Sequence, residues 1–296
     1  MFLAKEKILL QKINDKAITG SGIELLILRL DLVHPNISGN KWFKLKYNLE
    51  EARKQNKSRL LTFGGAFSNH IVATATAGKE FGFETIGIIR GDELNENSNS
   101  TLQSAKQNGM QMVFVSREDY RKRFREDFLE ELKAKFHNPY IIPEGGSNLL
   151  AVNGCAEIVK EVKHDFDFVC CAVGTGATLA GLSVSLNKKQ QAIGFSVLAN
   201  AEFLNDNVNN FVKEYSREER ANWKIIQNYH FGAYARTTKE LIDFIKHFEV
   251  ENKIPLDTIY TGKMMFGIYD LIQSGYFTRG EKIIALHTGG LQGNKS

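Results

Sequence analysis

Lys41 sits in the stretch Ser38-Gly39-Asn40-Lys41-Trp42-Phe43-Lys44-Leu45-Lys46, where a turn-like Ser-Gly-Asn runs into a helical pattern. Trp42, Leu45, Leu49 and Ala52 recur at helical spacing, so Lys41 falls in the first turn, with Asn40 as the expected cap. The positive end of the helix dipole disfavours an ammonium there by about 0.3–1 kcal/mol, and partial burial beside Trp42 or Phe43 would lower its pKa further. An amine that readily loses its proton can form a Schiff base. The local pattern alone favours an ordinary solvated helix lysine, and only the motifs further along the chain change that balance.

Three glycine-rich turns supply those motifs. In Gly64-Gly65-Ala66-Phe67-Ser68-Asn69-His70, Ser68 and Asn69 stand where a strand hands over to a helix, placed either to hold a carboxylate or phenolic oxygen or simply to cap the helix. His70 reads as a base or as a packed histidine, with packing favoured. In Gly174-Thr175-Gly176-Ala177-Thr178, two glycines, two hydroxyls and a helix N-terminus suit a monophosphate; the competing reading is a tight turn that needs glycine. No Gly-Lys-Ser/Thr follows, and Leu179 occupies the last glycine position of a dinucleotide fingerprint, so a nucleotide is the weaker expectation. The third turn, His287-Thr288-Gly289-Gly290, is preceded by two tyrosine motifs around Tyr234 and Tyr260. Either tyrosine alone would be an amphipathic core-edge residue.

The elements that must position these turns alternate regularly. Strands are expected at 23–31, 59–63, 85–89, 111–115, 140–142, 166–173, 191–197, 223–226 and 282–286, with helices between them, one of them at 151–163 in the middle of the chain. This is βαβ punctuation, and it implies a parallel sheet with helices on its faces. Ligands of such sheets gather at the carboxyl ends of strands, which is where all three glycine turns fall.

At 296 residues the chain is about twice the usual domain size, which suits two domains sharing a cleft or one large α/β unit. Its 43% hydrophobic and 24% charged residues are ordinary globular values. The net charge of +4, from 38 basic and 34 acidic residues, is spread without a single-sign block, which argues against nucleic acid as a partner. The charged N-terminal segment lacks the apolar core of a signal peptide, and no apolar run spans a membrane, so a cytoplasmic protein is expected. Cys155, Cys170 and Cys171 show no metal or disulfide spacing and read as packing residues; no metal site is expected.

Taken in order, S-G-N-K before an aromatic-basic helix, G-G-x-x-S-N-H after a strand, G-T-G-x-T, Y-T-G-K and H-T-G-G resemble a known family. It is the pyridoxal-phosphate enzymes grouped as D-cysteine desulfhydrase and 1-aminocyclopropane-1-carboxylate deaminase, of the tryptophan-synthase-β-like fold type. The likeness runs from about residue 20 to residue 293 and is weakest over 98–138 and 199–223. It implies an α/β fold of two domains with open, twisted, mostly parallel sheets flanked by helices. Residues 1–47 and 145–296 would form the large cofactor-binding domain and 48–144 the small one. It implies pyridoxal 5'-phosphate as cofactor, a small amino acid as substrate and a homodimer.

Carried over by position, Lys41 would be the Schiff-base lysine, Asn69 would bond the cofactor's ring oxygen, and Ser68 would receive the substrate carboxylate. Gly174, Thr175, Gly176 and Thr178 would cradle the phosphate, Thr288 would face the pyridine nitrogen, and Tyr234 and Tyr260 would flank the substrate as acid/base or aromatic groups. Thr261 belongs with the cofactor-binding set and also bears on the reaction. Within the family the residue after the motif tyrosine is glutamate in ring-opening deaminases and threonine in the desulfhydrases. The resemblance therefore implies β-elimination from D-cysteine or a related β-substituted D-amino acid. Ring opening of the aminocyclopropane is the alternative reaction, and a non-catalytic small-molecule binder is the alternative class. The chain is somewhat shorter than the family leads one to expect, so loops around the cleft could differ.

Overall fold

The computed structural model describes residues 8–34 and 37–291; the charged segment at the N-terminus lies outside the described residues. Ten strands form two sheets. In chain order they are β1 (Leu9–Lys12), β2 (Glu24–Arg29), β3 (Arg59–Gly65), β4 (Glu84–Arg90), β5 (Gln111–Val115), β6 (Tyr140–Ile142), β7 (Phe168–Val173), β8 (Gln191–Ser196), β9 (Trp223–Ile226) and β10 (Lys282–Leu286). The six-stranded sheet has the order β1-β2-β10-β7-β8-β9 and the four-stranded sheet β5-β4-β3-β6.

All pairings are parallel except one: β1 runs antiparallel to β2. Sequence alternation does not disclose β1, because Leu9-Leu10-Gln11-Lys12 is a short edge strand with its outer residues exposed. The central strands behave as their composition demands. β7 reads Phe-Val-Cys-Cys-Ala-Val and is covered on both faces, with Cys170 in one hydrophobic cluster and Cys171 in the other. All three cysteines are buried thiols.

The smaller sheet is built wholly from residues between Arg59 and Ile142, whereas the larger draws on both ends of the chain. Helix Asn40–Lys54, which carries Lys41, runs unbroken through the expected 47/48 boundary. The helix expected over 151–163 is two, Leu149–Ala156 and Ile158–Glu161, meeting at Glu157. That carboxylate accepts hydrogen bonds from Lys46 Nζ at 2.8 Å and from the Tyr47 hydroxyl, and so ties the break to the lysine helix. Among the described residues no helix is long and apolar enough to cross a membrane.

The lysine helix and helix Leu149–Ala156 approach so closely that a Cβ at Gly154 would stand 1.9 Å from the Phe43 carbonyl oxygen. A backbone oxygen in the middle of a helix cannot swing aside. Gly154→Ala is therefore expected to cost about 3 kcal/mol, the upper range for overpacking, read as a loss of unfolding free energy in urea. Gly275→Ala is the control: its φ of +73° brings strain, but nothing lies within 4 Å of the added carbon, so about 1 kcal/mol is expected. Equal losses at the two sites would show that the helix contact does not set the cost.

Candidate active site

The start of the lysine helix is fixed by glycine and not by Asn40. Gly39 is the cap, at φ 73° and ψ −151°, a conformation natural only to a residue without a side chain. A Cβ there would stand 1.9 Å from the Thr288 carbonyl oxygen, and one on Gly289 would stand 2.5 Å from Ser38 Oγ. The lysine turn and the loop after β10 thus meet backbone to backbone. Asn40, expected as the cap, is instead the first helical residue, and its amide donates to Thr178 Oγ1 at 2.8 Å.

Lys41 and Lys44 share one face of the helix. Lys41 Nζ donates to the Gly145 carbonyl at 3.3 Å, and Lys44 Nζ donates to the same oxygen at 2.9 Å. Lys44 is only 2% exposed and also donates to Ser147 Oγ at 3.1 Å and Thr175 Oγ1 at 3.4 Å. Burial lowers the pKa of both amines, and the charge of Lys44 drives Lys41 further below its ordinary range.

After β7 the chain passes through Gly174-Thr175-Gly176 into helix Ala177–Ser185, whose start no side chain caps. Its first N–H groups therefore have no helical partner and face outward. Gly176 takes φ +95°, packed against Val208, so only glycine turns the chain here without strain. The Thr175 and Ser147 hydroxyls are hydrogen-bonded to each other beside Lys44 Nζ. This corner presents an ammonium, hydroxyls and open N–H donors together, which is the donor set of a phosphate site.

The remaining groups close the cleft. Ser68 caps helix Asn69–Phe81, accepting from Ile71 N–H at 3.4 Å, and Asn69 lies against the Gly290 backbone. The Thr288 hydroxyl has no hydrogen-bond partner among the described residues and borders the same space. Lys41, Lys44, Ser68, Asn69, Gly174, Thr175, Gly176, Thr178, Tyr260 and Thr288 all line this one cleft of about 550 Å³. His70 is a packed residue: the Thr62 hydroxyl donates to the Ile142 carbonyl, so His70 Nε2 must donate to Thr62 Oγ1, at 2.8 Å. Burial, with help from Lys41 and Lys44, holds that imidazole neutral, and its Nδ1 has no partner.

Tyr260 and Tyr234 meet hydroxyl to hydroxyl at 2.7 Å, and Tyr234 donates onward to the Phe67 carbonyl at 3.4 Å. Burial pushes Tyr234 up to about 12 and Tyr260 well above its ordinary value, so both keep their protons at neutral pH. Thr261 departs from expectation. It is fully buried, donates its hydroxyl to Asp257 Oδ1 at 2.6 Å, accepts from Asp257 N–H at 2.9 Å and does not border the cleft. The reason is local: Asp257 also accepts the N–H groups of Ile259, Tyr260 and Thr261, capping helix Thr261–Gln273, and Thr261 completes that cap.

Three contributors escape a sequence reading. Lys44 had a usable signal, since it follows Lys41 by one helical turn. Ser147 had only the glycine pair before it, after a strand. Lys263 looked like part of a motif, yet its role is mechanical: buried, it donates to the carbonyls of His230, Ala233 and Tyr234 at 2.8, 2.9 and 3.1 Å. Three ammonium protons meet three oxygens and pin the loop that carries Tyr234.

A lysine amine of lowered pKa, a corner of anion donors and an unpartnered hydroxyl bordering one cleft are the groups that an aromatic aldehyde phosphate would need. Over residues 10–289 the chain matches the family described as pyridoxal-phosphate dependent enzyme, and it belongs to that family. Within it, the relatives are deaminases and desulfhydrases by name. The chain is 32% identical to the "Putative 1-aminocyclopropane-1-carboxylate deaminase" of Pyrococcus horikoshii, covering 92% of this chain and 86% of that one. It is 31% identical to the bifunctional D-cysteine desulfhydrase/1-aminocyclopropane-1-carboxylate deaminase of Arabidopsis thaliana, a mitochondrial protein, covering 92% and 74%. A crystal structure of an ACC deaminase homologue superposes with a TM-score of 0.86 at 30% identity, covering 98% of this chain and 91% of that one.

Burial holds Lys263 at a pKa of about 8, against an ordinary 10.5. Burial disfavours the charged amine, so opening the loop, which returns Lys263 to water and its ordinary pKa, takes up a proton between pH 8 and 10.5. Rising pH therefore favours the closed loop, and tryptic cleavage at Arg236, normalised to a free peptide with the same bond, should fall on the order of tenfold for each unit of pH gained in this range. In Lys263→Met that pH dependence should vanish. Global stability moves the same way, because the unfolded chain also binds more protons between pH 8 and 10.5. A flat cleavage profile in the unmodified protein would show that Lys263 does not hold the loop.

Proposed function

We propose that this enzyme catalyses β-elimination from D-cysteine or a related β-substituted D-amino acid, giving a 2-oxo acid, ammonia and the leaving group. The observation that carries this reading is the composition of the cleft: two lysines, the Thr175 hydroxyl beside Lys44, and Tyr260, whose hydroxyl meets that of Tyr234, but no carboxylate among the residues that line it. The nearby acids are spent. Asp257 accepts four hydrogen bonds within its own turn, and Glu144 accepts from Tyr120 and Arg123. Opening a cyclopropane has no good leaving group and calls for strong acid/base assistance; a thiol leaves as a stabilised anion and needs little. The names of the relatives support both reactions, and the cleft's own composition supports elimination.

In this reading Lys41 Nζ holds the cofactor covalently, and Lys44, Ser147, Thr175 and the N–H groups at the start of helix Ala177–Ser185 hold its phosphate. Bound there, the cofactor supplies an electron sink for charge developing at the substrate Cα. Asn69 bonds the ring hydroxyl and Thr288 faces the ring nitrogen with a neutral oxygen. Ser68 and the neighbouring N–H groups receive the substrate carboxylate. Lys41, displaced by the substrate amine, is neutral because of burial and Lys44, and takes the Cα proton. Tyr260, backed by Tyr234, delivers a proton to the departing group.

Borohydride reduction of the cofactor-loaded protein, followed by peptide mapping, should place the label on Lys41. A label on Lys44 would reverse the roles of the two amines. Lys41→Ala should lose at least ~10²-fold in turnover, the lower range for removal of a general base.

The substrate choice is tested by product. D-cysteine should yield pyruvate and sulfide, with little 2-oxobutyrate formed from 1-aminocyclopropane-1-carboxylate. Release of 2-oxobutyrate without any sulfide from D-cysteine would overturn the proposal.

A further inference from the structure

Beyond the cleft the cavity widens. Ser68, Gly145, Gly174, Thr175 and Tyr260 border both the cleft and a larger outer vestibule. Its lining is apolar at Leu198, Phe203 and Phe211 and charged at Arg90, Arg123 and Glu144. A free cysteine would leave most of that space unused.

The charges of that lining are not balanced. Glu144 Oε2 accepts from Arg123 Nε at 2.8 Å and Oε1 from the Tyr120 hydroxyl at 2.7 Å, so this carboxylate is consumed. Arg90, the last residue of β4, has no carboxylate or carbonyl partner for its guanidinium among the described residues; its one close neighbour is the Tyr120 ring, 5.8 Å from centroid to carbon. It is paired in register with Gly65, and a Cβ on that glycine would stand 3.5 Å from Arg90 Nη2. The guanidinium therefore lies over the turn that leads to Ser68 and Asn69. Its charge also reaches the Tyr234 hydroxyl across the vestibule.

We infer that Arg90 is a specificity-determining residue that selects amino acids whose β-substituent ends in an anionic group, with the carboxylate as the representative chemistry. The inference rests on the proposed elimination reaction only for what happens after binding. A planar guanidinium with free N–H donors matches a carboxylate edge-on, and the Tyr120 ring lies beside it at cation–π distance. In this arrangement the β-substituent extends into the vestibule toward Arg90, while the α-carboxylate stays at the Ser68 turn.

The test uses the cofactor-loaded protein and two nearly isosteric probes, S-carboxymethyl-cysteine and S-carbamoylmethyl-cysteine, each as D and L enantiomers. Affinity is read from the change in cofactor absorbance on mixing, and pyruvate release is followed in the same samples. The acid should bind on the order of tenfold more tightly than the amide, the scale of a charge-assisted hydrogen bond in a partly open site. Arg90→Gln should abolish that preference and Arg90→Lys should restore part of it. Equal affinities in the unmodified protein would overturn the inference, as would a preference that survives in Arg90→Gln. Equal weakening of both probes by Arg90→Gln would assign Arg90 to the α-carboxylate and overturn it as well. A preference for the acid without pyruvate from either probe would sink the elimination reaction and leave the anion site standing.

Discussion

Two lysine amines buried one helical turn apart, sharing the single carbonyl oxygen of Gly145, are the constraint from which the chemistry follows. Two ammonium groups cannot both stay charged at low cost in a site closed to water. Lys44 has the better company, with Ser147 and Thr175 hydroxyls beside the shared oxygen, so it keeps its proton more readily and Lys41 gives its own up. The division of labour arises from the surroundings, since the side chains are identical. The charged amine is suited to an anionic phosphate and the neutral one to nucleophilic attack and proton transfer.

That arrangement works only if the helix start is held still. It is held by backbone, at contacts that admit no side chain: Gly39 against the Thr288 carbonyl, Gly289 against Ser38, and Gly154 against the Phe43 carbonyl. The same contacts bring Thr288 and Lys41 to one cleft from positions far apart in sequence. Parallel pairing of β2 with β10 continues past the strand ends through the His287 N–H, which donates to the Leu28 carbonyl, and the Gly39 N–H turns back to donate to the Leu30 carbonyl just after β2. Rigid elements thus carry the reacting groups, and the loops contribute mainly Tyr234, which needs Lys263 to fix it.

Much of this was legible in the sequence because it rests on local pattern. The apolar runs of β7 and β10, the helix after Ser68 and the glycine turns at strand ends are written in spacing and composition. What escaped depends on distant partners. Asn40 looks like a cap until Thr178 offers its hydroxyl from another domain-sized stretch away; Thr261 looks like a cleft residue until Asp257 claims it four positions earlier in the chain. β1 is a four-residue edge strand whose only evidence is the strand it pairs with. Lys44 and Ser147 acquire meaning only when the loop after β6 folds back over the lysine helix.

The electrostatic plan of the cleft follows the same logic of partners already taken. Every carboxylate near the reacting groups is sealed into a structural task, Asp257 in a helix cap and Glu144 between Tyr120 and Arg123. The amines, by contrast, have partners that a bound anion can replace, because carbonyl and hydroxyl oxygens give them up without leaving a buried charge behind. A cleft so composed favours anions, and the tyrosine pair beside it keeps its protons at neutral pH. The neutral hydroxyl of Thr288 fits that plan too, since a carboxylate in its place would bring negative charge into the part of the cavity where the reaction must accumulate it.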